Sequence, residues 1–232
     1  MWLFHRTTTL SQSGILKGMT DCHSHLLPGV DDGVQSMEES LQILREMEQQ
    51  GVRRVWLTPH VMEDIPNETL SLQQKFQELQ HLYHGMVELR LAAEYMLDNL
   101  FEERLEKEDF LPLEEGKRYL LVETSYFNPP MDLLTVLQRI QKKGYYPLLA
   151  HPERYAYMQM KDYQVLKENQ IDFQLNVPSL AGLYGKNVQK KAEDLLKVGM
   201  YARIGCDIHS RGFYQRFLQS DIRKKRVTEL MN

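Results

Sequence analysis

The stretch TDCHSHLLPGVDDG (20–33) sets His23 and His25 two residues apart and follows them with Asp31 and Asp32. On an extended segment, side chains at i and i+2 share a face, so the two imidazoles stand together. Such a pair alone is a weak sign of a metal site. The sign strengthens because the same residue types recur: His60 in TPH, Glu94 after LAA, Glu123 after LLV, His151 in AHPER, and Asp207 with His209 in GCDIH. Glu94 and Glu123 each follow an apolar run, where a carboxylate is costly to bury without a cation. Together, His23, His25, Asp32, His60, Glu94, Glu123, His151, Asp207 and His209 form a nitrogen and oxygen donor set suited to Mn2+, Fe2+, Zn2+ or Mg2+. They are too many for one ion, so two or three ions sharing a carboxylate are expected. Divalent ions clustered about 4 Å apart are a device of phosphoester hydrolysis, in which they acidify water and stabilise charge on the attacking and leaving oxygens. Arg154, three residues beyond His151, and Arg211, two beyond His209, are the candidate catalytic arginines. Either could grip a phosphoryl group through its planar fork. Neither an HCx5R loop nor a GxSxG elbow offers a competing nucleophile.

Such donors need a frame that gathers them. Short apolar runs alternate with helix-like runs, predicting strands over 18–24, 52–58, 86–94, 119–125, 145–151, 171–177 and 201–207. Ser36 and Glu39 form a capping box for a helix over 37–50, stopped by Gly51. Asn128 with Pro129 starts another that Gly144 stops, and 186–199 is a third. Strands alternating with helices imply a mostly parallel sheet with helices outside. Seven such units, with no glycine-rich phosphate loop after the first strand, favour a closed or nearly closed barrel over an open doubly wound sheet. Every strand but the sixth, which ends in Asn176, then delivers a His, Asp or Glu to its carboxyl end. That is where a β/α barrel builds its active site. The acid-rich segment 95–118 predicts one helix and a loop over the barrel mouth.

The 232 residues fit one domain, with 42% hydrophobic and 26% charged residues, ordinary for a globular protein. Residues 18–232 are expected to form it, and 1–17 a loosely attached tail whose Trp2, Leu3 and Phe4 could instead touch a partner or membrane. The net charge of −4 and the lack of a basic track argue against nucleic-acid binding. IRKKRV (222–227) reads as a solvated helix face, and His5, His81 and His84 as structural or solvent-facing. Cys22 and Cys206, without a CxxC, are expected reduced, in the cytoplasm. No segment has the apolar length of a membrane span, so no stable membrane insertion is expected.

DCHSHLLPGVDDG (21–33), WLTPH (56–60), LAAEY (91–95), LLVETS (120–125), LLAHPERY (148–155) and GCDIHS (205–210) resemble, in order, the motifs of the polymerase and histidinol phosphatase (PHP) superfamily. LPGVDDG and AHPERY resemble most its bacterial protein-tyrosine phosphatases of capsular and exopolysaccharide operons. The resemblance implies an α/β fold, a distorted (β/α)7 TIM-like PHP barrel, holding up to three divalent ions, manganese first and iron or zinc as alternatives. On it, His23, His25, Glu94 and Asp207 hold one ion, and Glu94 bridges to a second completed by Glu123 and His151. Asp32, His60 and His209 hold the third, while Asp31 supports the turn or the shell around the donors. Arg154 stands where the family binds phosphate, and Arg211 or Arg216 is the second such contact. The implied activity is metal-dependent hydrolysis of phosphotyrosine in the tail of a membrane-anchored bacterial tyrosine kinase that controls polysaccharide synthesis. The enzyme would be cytoplasmic, recruited to the inner face of the membrane. The residues alone reach only a multimetal phosphoesterase. One alternative is a small-molecule phosphoesterase of the histidinol-phosphatase type, which needs a closed polar pocket instead of an open rim. Another is a non-catalytic PHP-fold partner-binding module, which should lack a donor. The chain stops at TELMN (228–232), earlier than the resemblance leads one to expect.

Overall fold

Each apolar run becomes a short strand, and each amphipathic run the helix that carries the chain back to the next parallel strand. The computed structural model describes residues 7–114 and 116–231, so Trp2, Leu3, Phe4 and His5 lie outside the described residues. The first half of the chain comprises β1 (Thr7–Thr9), α1 (Leu10–Ser13), β2 (Thr20–Asp21), α2 (Met37–Gln49), β3 (Arg54–Leu57), β4 (His60–Val61), α3 (Thr69–Leu82), β5 (Glu88–Leu91), β6 (Glu94–Met96) and α4 (Asn99–Lys107). The second half comprises β7 (Leu113–Glu114), β8 (Arg118–Glu123), α5 (Leu133–Lys142), β9 (Tyr146–Ala150), a 3-10 turn (Pro152–Arg154), α6 (Met160–Glu168), β10 (Asp172–Asn176), α7 (Val177–Leu180), α8 (Lys186–Lys197), β11 (Tyr201–Gly205), α9 (Arg211–Gln219), β12 (Asp221–Arg223) and α10 (Lys224–Met231).

Parallel ladders join β2–β3–β5 in one sheet and β4–β6–β8–β9–β10–β11 in another. β3 runs on into β4 and β5 into β6, so the strands follow one another round a distorted (β/α)7 barrel. The break between β3 and β4 falls at Pro59, which has no N–H for a ladder. The Glu94 N–H donates to the Pro59 carbonyl at 3.0 Å and bridges the gap. No ladder joins β2 to β11. Three backbone bonds cross that seam instead: Cys22 N to Ile204 O (3.0 Å), Asp207 N to His23 O (2.8 Å) and His25 N to Ile208 O (3.0 Å).

Alternation along the strands separates two cores. Tyr119 and Leu121 of β8 join Cys22, Trp56, Leu148 and Ala150 in one cluster, while Leu120 and Val122 pack with the helices in the larger one. Glu123, in phase with Tyr119 and Leu121, ends that row at the carboxyl end of the strand. β10 differs: its Phe173 and Leu175 face the helix layer, but the alternating positions are Gln174 and Asn176, both fully buried. Both cysteines are buried and free.

Four sequence expectations change. The helix expected from Asn128 begins only at Leu133, because Pro129 precedes Pro130 and a residue before proline is pushed out of helical geometry. Residues 95–118 do not cover the mouth. α4 buries Phe101, Arg104 and Leu105 in its own βα return, and Arg139 of α5 pairs with its Glu102 and Glu106. β7 then meets the start of β8 (Glu114 opposite Arg118), the barrel end far from Glu123; a parallel strand can begin only there. The loose tail over 1–17 does not describe residues 7–17. β1 pairs antiparallel with β12, and Leu10, Ile15 and Leu16 are buried at 1%, 6% and 2% exposure. The basic run 222–227 is also less free than expected, since Arg223 and Arg226 both bond Glu193 of α8. Removing the Leu10 side chain should therefore cost about 2–5 kcal/mol, the usual range for a buried leucine. A Leu10→Ala variant with an unshifted urea midpoint would restore the tail.

Candidate metal centre

Glu94 is the middle of the site. It opens β6 opposite His60 in the β4–β6 ladder, and its carboxylate is fully buried. Its Oε2 lies 3.0 Å from His23 Nε2, 3.3 Å from His25 Nε2 and 3.2 Å from His60 Nδ1. Its Oε1 lies 3.1 Å from His151 Nε2. Asp207 Oδ1 reaches His23 and His25 Nε2 (3.5 and 3.3 Å), and Glu123 Oε1 reaches His60 Nδ1 (3.1 Å). Asp32 Oδ1 stands 3.6 Å from His60 and 3.5 Å from His209. All nine sequence-predicted donors thus meet, in overlapping groups: His25–Asp32–His60–His209, His23–His25–Asp207, His23–Glu94–His151 and His60–Glu94–Glu123. His81 and His84 are exposed and take no part.

Surrounding residues aim these donors. The Gln174 Oε1 accepts the His151 backbone N–H (3.2 Å) and faces His23 Nδ1 at 2.9 Å. Asp31 Oδ2 faces His25 Nδ1 at 2.8 Å and accepts the His60 N–H. Each ring therefore keeps its proton on Nδ1 and turns a bare Nε2 inward, the tautomer a metal ligand needs. Asp31 thus serves both the turn, where its Oδ1 accepts the Gly33 N–H at 2.9 Å, and the surround of a donor, His25. Gly205 and Gly33 permit this closeness. A Cβ on Gly205 would lie 2.5 Å from the His23 Cβ, and one on Gly33 would lie 2.3 Å from the His25 carbonyl oxygen. Two donors also hold strained backbone: His151 at φ +32° and Asp207 at φ +52°, in the left-handed region. The sequence reading missed Gln174. Its only signal was a polar residue at an inward strand position.

The donor chemistry fits divalent cations. Bare nitrogens converge on Glu94 Oε2, an acceptor that is buried and receives no hydrogen bond among the described residues. Acceptors facing acceptors at 3 Å repel unless positive charge lies among them. Protons compete for that role. Burial opposes charge on His23, but Glu94 and Asp207 outweigh it and push its pKa up to about 9. His25 is also raised against its burial, by hydrogen bonds to Asp207, Asp31 and Glu94. Burial likewise opposes ionisation of Glu94 and Asp207, yet the histidines hold both carboxyls well below the usual range.

The two arginines part company. Arg154 Nη1 bonds Asp207 Oδ2 at 2.5 Å, so it stands at the cluster's edge with 17% of its side chain exposed. Its guanidinium lies between the rings of Tyr126 (4.5 Å) and Tyr184 (4.4 Å), neither of which the sequence singled out. The structure does not bring Arg211 to the cluster. Its N–H caps onto Glu39, and its Nε bonds Glu46 of α2 at 2.6 Å. Arg216 lies over Phe213. The site opens on one side, where Asp32 is 65% and His209 31% exposed.

Residues 19–223 match the family described as capsular polysaccharide synthesis, CpsB/CapC. This chain belongs to the CpsB/CapC family. The tyrosine-protein phosphatase CpsB of Streptococcus pneumoniae is 30% identical over 207 residues, 83% of each chain. The tyrosine-protein phosphatase YwqE of Bacillus subtilis is 28% identical over 205 residues, 83% of this chain and 78% of its own. A crystal structure from work on those two, described as unique metal-dependent tyrosine phosphatases, superposes with a TM-score of 0.79 over 92% of this chain and 86% of the other, at 24% identity. The CpsB/CapC match spans all nine donors and both arginines.

Metal removal should invert the pH dependence of stability. A histidine raised from about 6.5 in the unfolded chain to about 9, as His23 is, stabilises fully below 6.5 and loses that contribution as pH rises through 9. The depressed carboxylates, Asp31 at about 2 among them, contribute above an unfolded value of about 4 and lose it as pH falls. Chelated protein should therefore melt highest between about pH 4.5 and 6.5. With a saturating divalent ion, deprotonated imidazoles bind better, and melting temperature should rise from pH 6 to 8. Chelated protein that is more stable at pH 8.5 than at pH 6 would contradict this balance of charge.

Proposed function

We propose that the chain is a metal-dependent protein-tyrosine phosphatase, hydrolysing phosphotyrosine on a bacterial tyrosine kinase of capsular or exopolysaccharide synthesis. The observation that carries this is the convergence of nine nitrogen and oxygen donors on a rim open at Asp32 and His209, in a member of the CpsB/CapC family. We assign the donors as three sets, the first two sharing Glu94. His23, His25, Glu94 and Asp207 hold one ion; Glu94, Glu123 and His151 hold another; Asp32, His60 and His209 hold the third. Charge supports the number. Asp32, Glu94, Glu123 and Asp207 bring four negative charges against neutral imidazoles, so two dications neutralise the site. A third leaves a positive balance that suits a phosphate dianion. Imidazoles and carboxylates without thiolate accommodate manganese, iron or zinc, and the family resemblance puts manganese first.

Divalent ions held there supply Lewis acidity toward water and the phosphoryl oxygens. The chain's own residues do the rest. The buried donors exclude water from one side of the site, and the open Asp32–His209 side admits a substrate carried on a polypeptide. Arg154, fixed through Asp207, offers its remaining N–H edge to the phosphoryl group. Arg211 would have to leave Glu46 to reach it, so we assign the grip to Arg154 alone. An open rim disfavours the small-metabolite alternative, and the complete donor set disfavours a non-catalytic module.

The proposed partner is the phosphotyrosine tail of a membrane-anchored kinase, which places the enzyme in the cytoplasm at the membrane's inner face. No helix among the described residues is long and apolar enough to cross a membrane. Hydrolysis of phosphotyrosine peptide, phosphoserine peptide and histidinol phosphate should be compared in one metal-quantified preparation, with the first preferred. Arg154→Ala should keep its metal and lose roughly 10²-fold in turnover, the scale of one lost oxyanion donor. His151→Ala should lose metal and activity together. Preference for histidinol phosphate would overturn the assignment.

A further inference from the structure

Arg154 is held by more than its salt bridge. Tyr126, on the loop after β8, covers one side of its guanidinium at 4.5 Å, and Tyr184, on the loop after α7, lies at 4.4 Å. Asp207 Oδ2 takes the Arg154 Nη1 and also the Asn176 amide at 3.1 Å. That same amide donates to the Tyr184 hydroxyl at 3.2 Å. The contacts form a circuit: Arg154 to Asp207, to Asn176, to Tyr184 and back to Arg154. Tyr184 is in turn braced by the Phe213 ring of α9, 5.9 Å away. Stacking occupies the faces of a guanidinium and leaves its N–H edge, which is the part that recognises phosphate. Among the described residues, Arg154 Nε and Nη2 make no hydrogen bond.

We propose that Tyr184, with Tyr126, is a positioning residue that holds the Arg154 fork in the orientation that meets the phosphoryl group. This rests on Arg154 being the phosphoryl grip. A free arginine side chain samples many rotamers, and fixing it beforehand removes an ordering cost from binding and reaction. Stacking alone does this without spending a donor. The aromatic residues on the loops after β8 and α7 thereby act on a phosphate they need not touch.

The test is a double-mutant cycle on metal-loaded protein with a phosphotyrosine peptide, reading kcat/KM, inhibition by inorganic phosphate, and metal content. Tyr184→Leu should lower kcat/KM roughly tenfold, the scale of a cation–π contact, weaken phosphate inhibition in parallel, and keep its metal. Tyr184→Phe keeps the ring and should recover most of the loss. In an Arg154→Ala background, Tyr184→Leu should change kcat/KM by less than about twofold, because there is no fork left to hold. General structural damage would instead cost the same factor in both backgrounds, and that result overturns the positioning role while leaving the Arg154 grip intact. Wild-type kcat/KM in Tyr184→Leu also overturns it. Wild-type kcat/KM in Arg154→Ala removes the grip and this inference with it, a different outcome seen in a different variant. If Tyr184→Leu does not fold, Tyr126→Leu is carried through the same cycle, with the same results for and against.

Discussion

A carboxylate with no access to water lies between four imidazoles, and the architecture around Glu94 answers to that one fact. An ionised carboxylate in such a place is costly unless positive charge is supplied at contact distance. Among the described residues no lysine or arginine supplies it: the neighbours at 3.0–3.3 Å are His23, His25, His60 and His151. Imidazoles can meet the need in two ways, by taking protons themselves or by offering lone pairs to a cation. The fixed Nδ1 partners of His23 and His25 prepare the second way. The histidine pKa values, raised by the buried carboxylates against the cost of burial, show that the first competes. Acid is thus a rival of the metal for the same positions, and the site's strength as a cation trap is read in both.

The strand framework makes such a cluster tolerable by confining it to one end. Inward positions of β8 are apolar until Glu123, its last residue, and β9 is apolar inside through Ala150, with His151 following just past its end at φ +32°. β10 is the exception, with Gln174 and Asn176 on its inner side. Neither is a donor in the assigned sets. One aims His23, and the other ties Asp207 to Tyr184. The strand without a metal donor therefore carries the supports for donors on its neighbours and across the barrel.

That division explains what the sequence could reveal. Candidate metal donors are His, Asp or Glu near strand ends, a narrow choice of residue type at a predictable place, and the side chains that converge here could be picked out from it, Asp32 from the turn that follows the first of those strands. Supporting roles admit many residue types. Gln174 is one glutamine among several, and Tyr126 and Tyr184 are loop aromatics whose partner, Arg154, is remote from Tyr184 in sequence. Arg211 shows the converse error: two residues from His209, it looked close to the phosphate, yet the start of α9 turns it toward Glu46. Spacing along a strand reports direction because the period is two; spacing across a loop into a helix does not. The packed segment 7–17 escaped for a related reason. Leu10, Ile15 and Leu16 follow no single period, and only the partner surfaces of β12 and α9 make sense of them.

The weakest joint of the barrel and the strongest charges of the site coincide. Between β2 and β11 the ladder is missing, and three backbone hydrogen bonds from residues 22–25 to 204–208 span the gap. His23 and His25 lie on one side of that seam, and Asp207 and His209 on the other. Their side chains meet across it: Asp207 Oδ1 lies 3.3 Å from His25 Nε2, and the His25 and His209 rings stack at 3.9 Å. A cation bound by donors from both sides would join the two edges as a ladder would elsewhere. Such a cation would stand in for the regular ladder that this joint lacks. The two edges approach closely there, and Gly205 comes against His23 without a Cβ between them. Closure between β2 and β11 and assembly of the candidate site thus draw on the same short segments, 22–25 and 204–209.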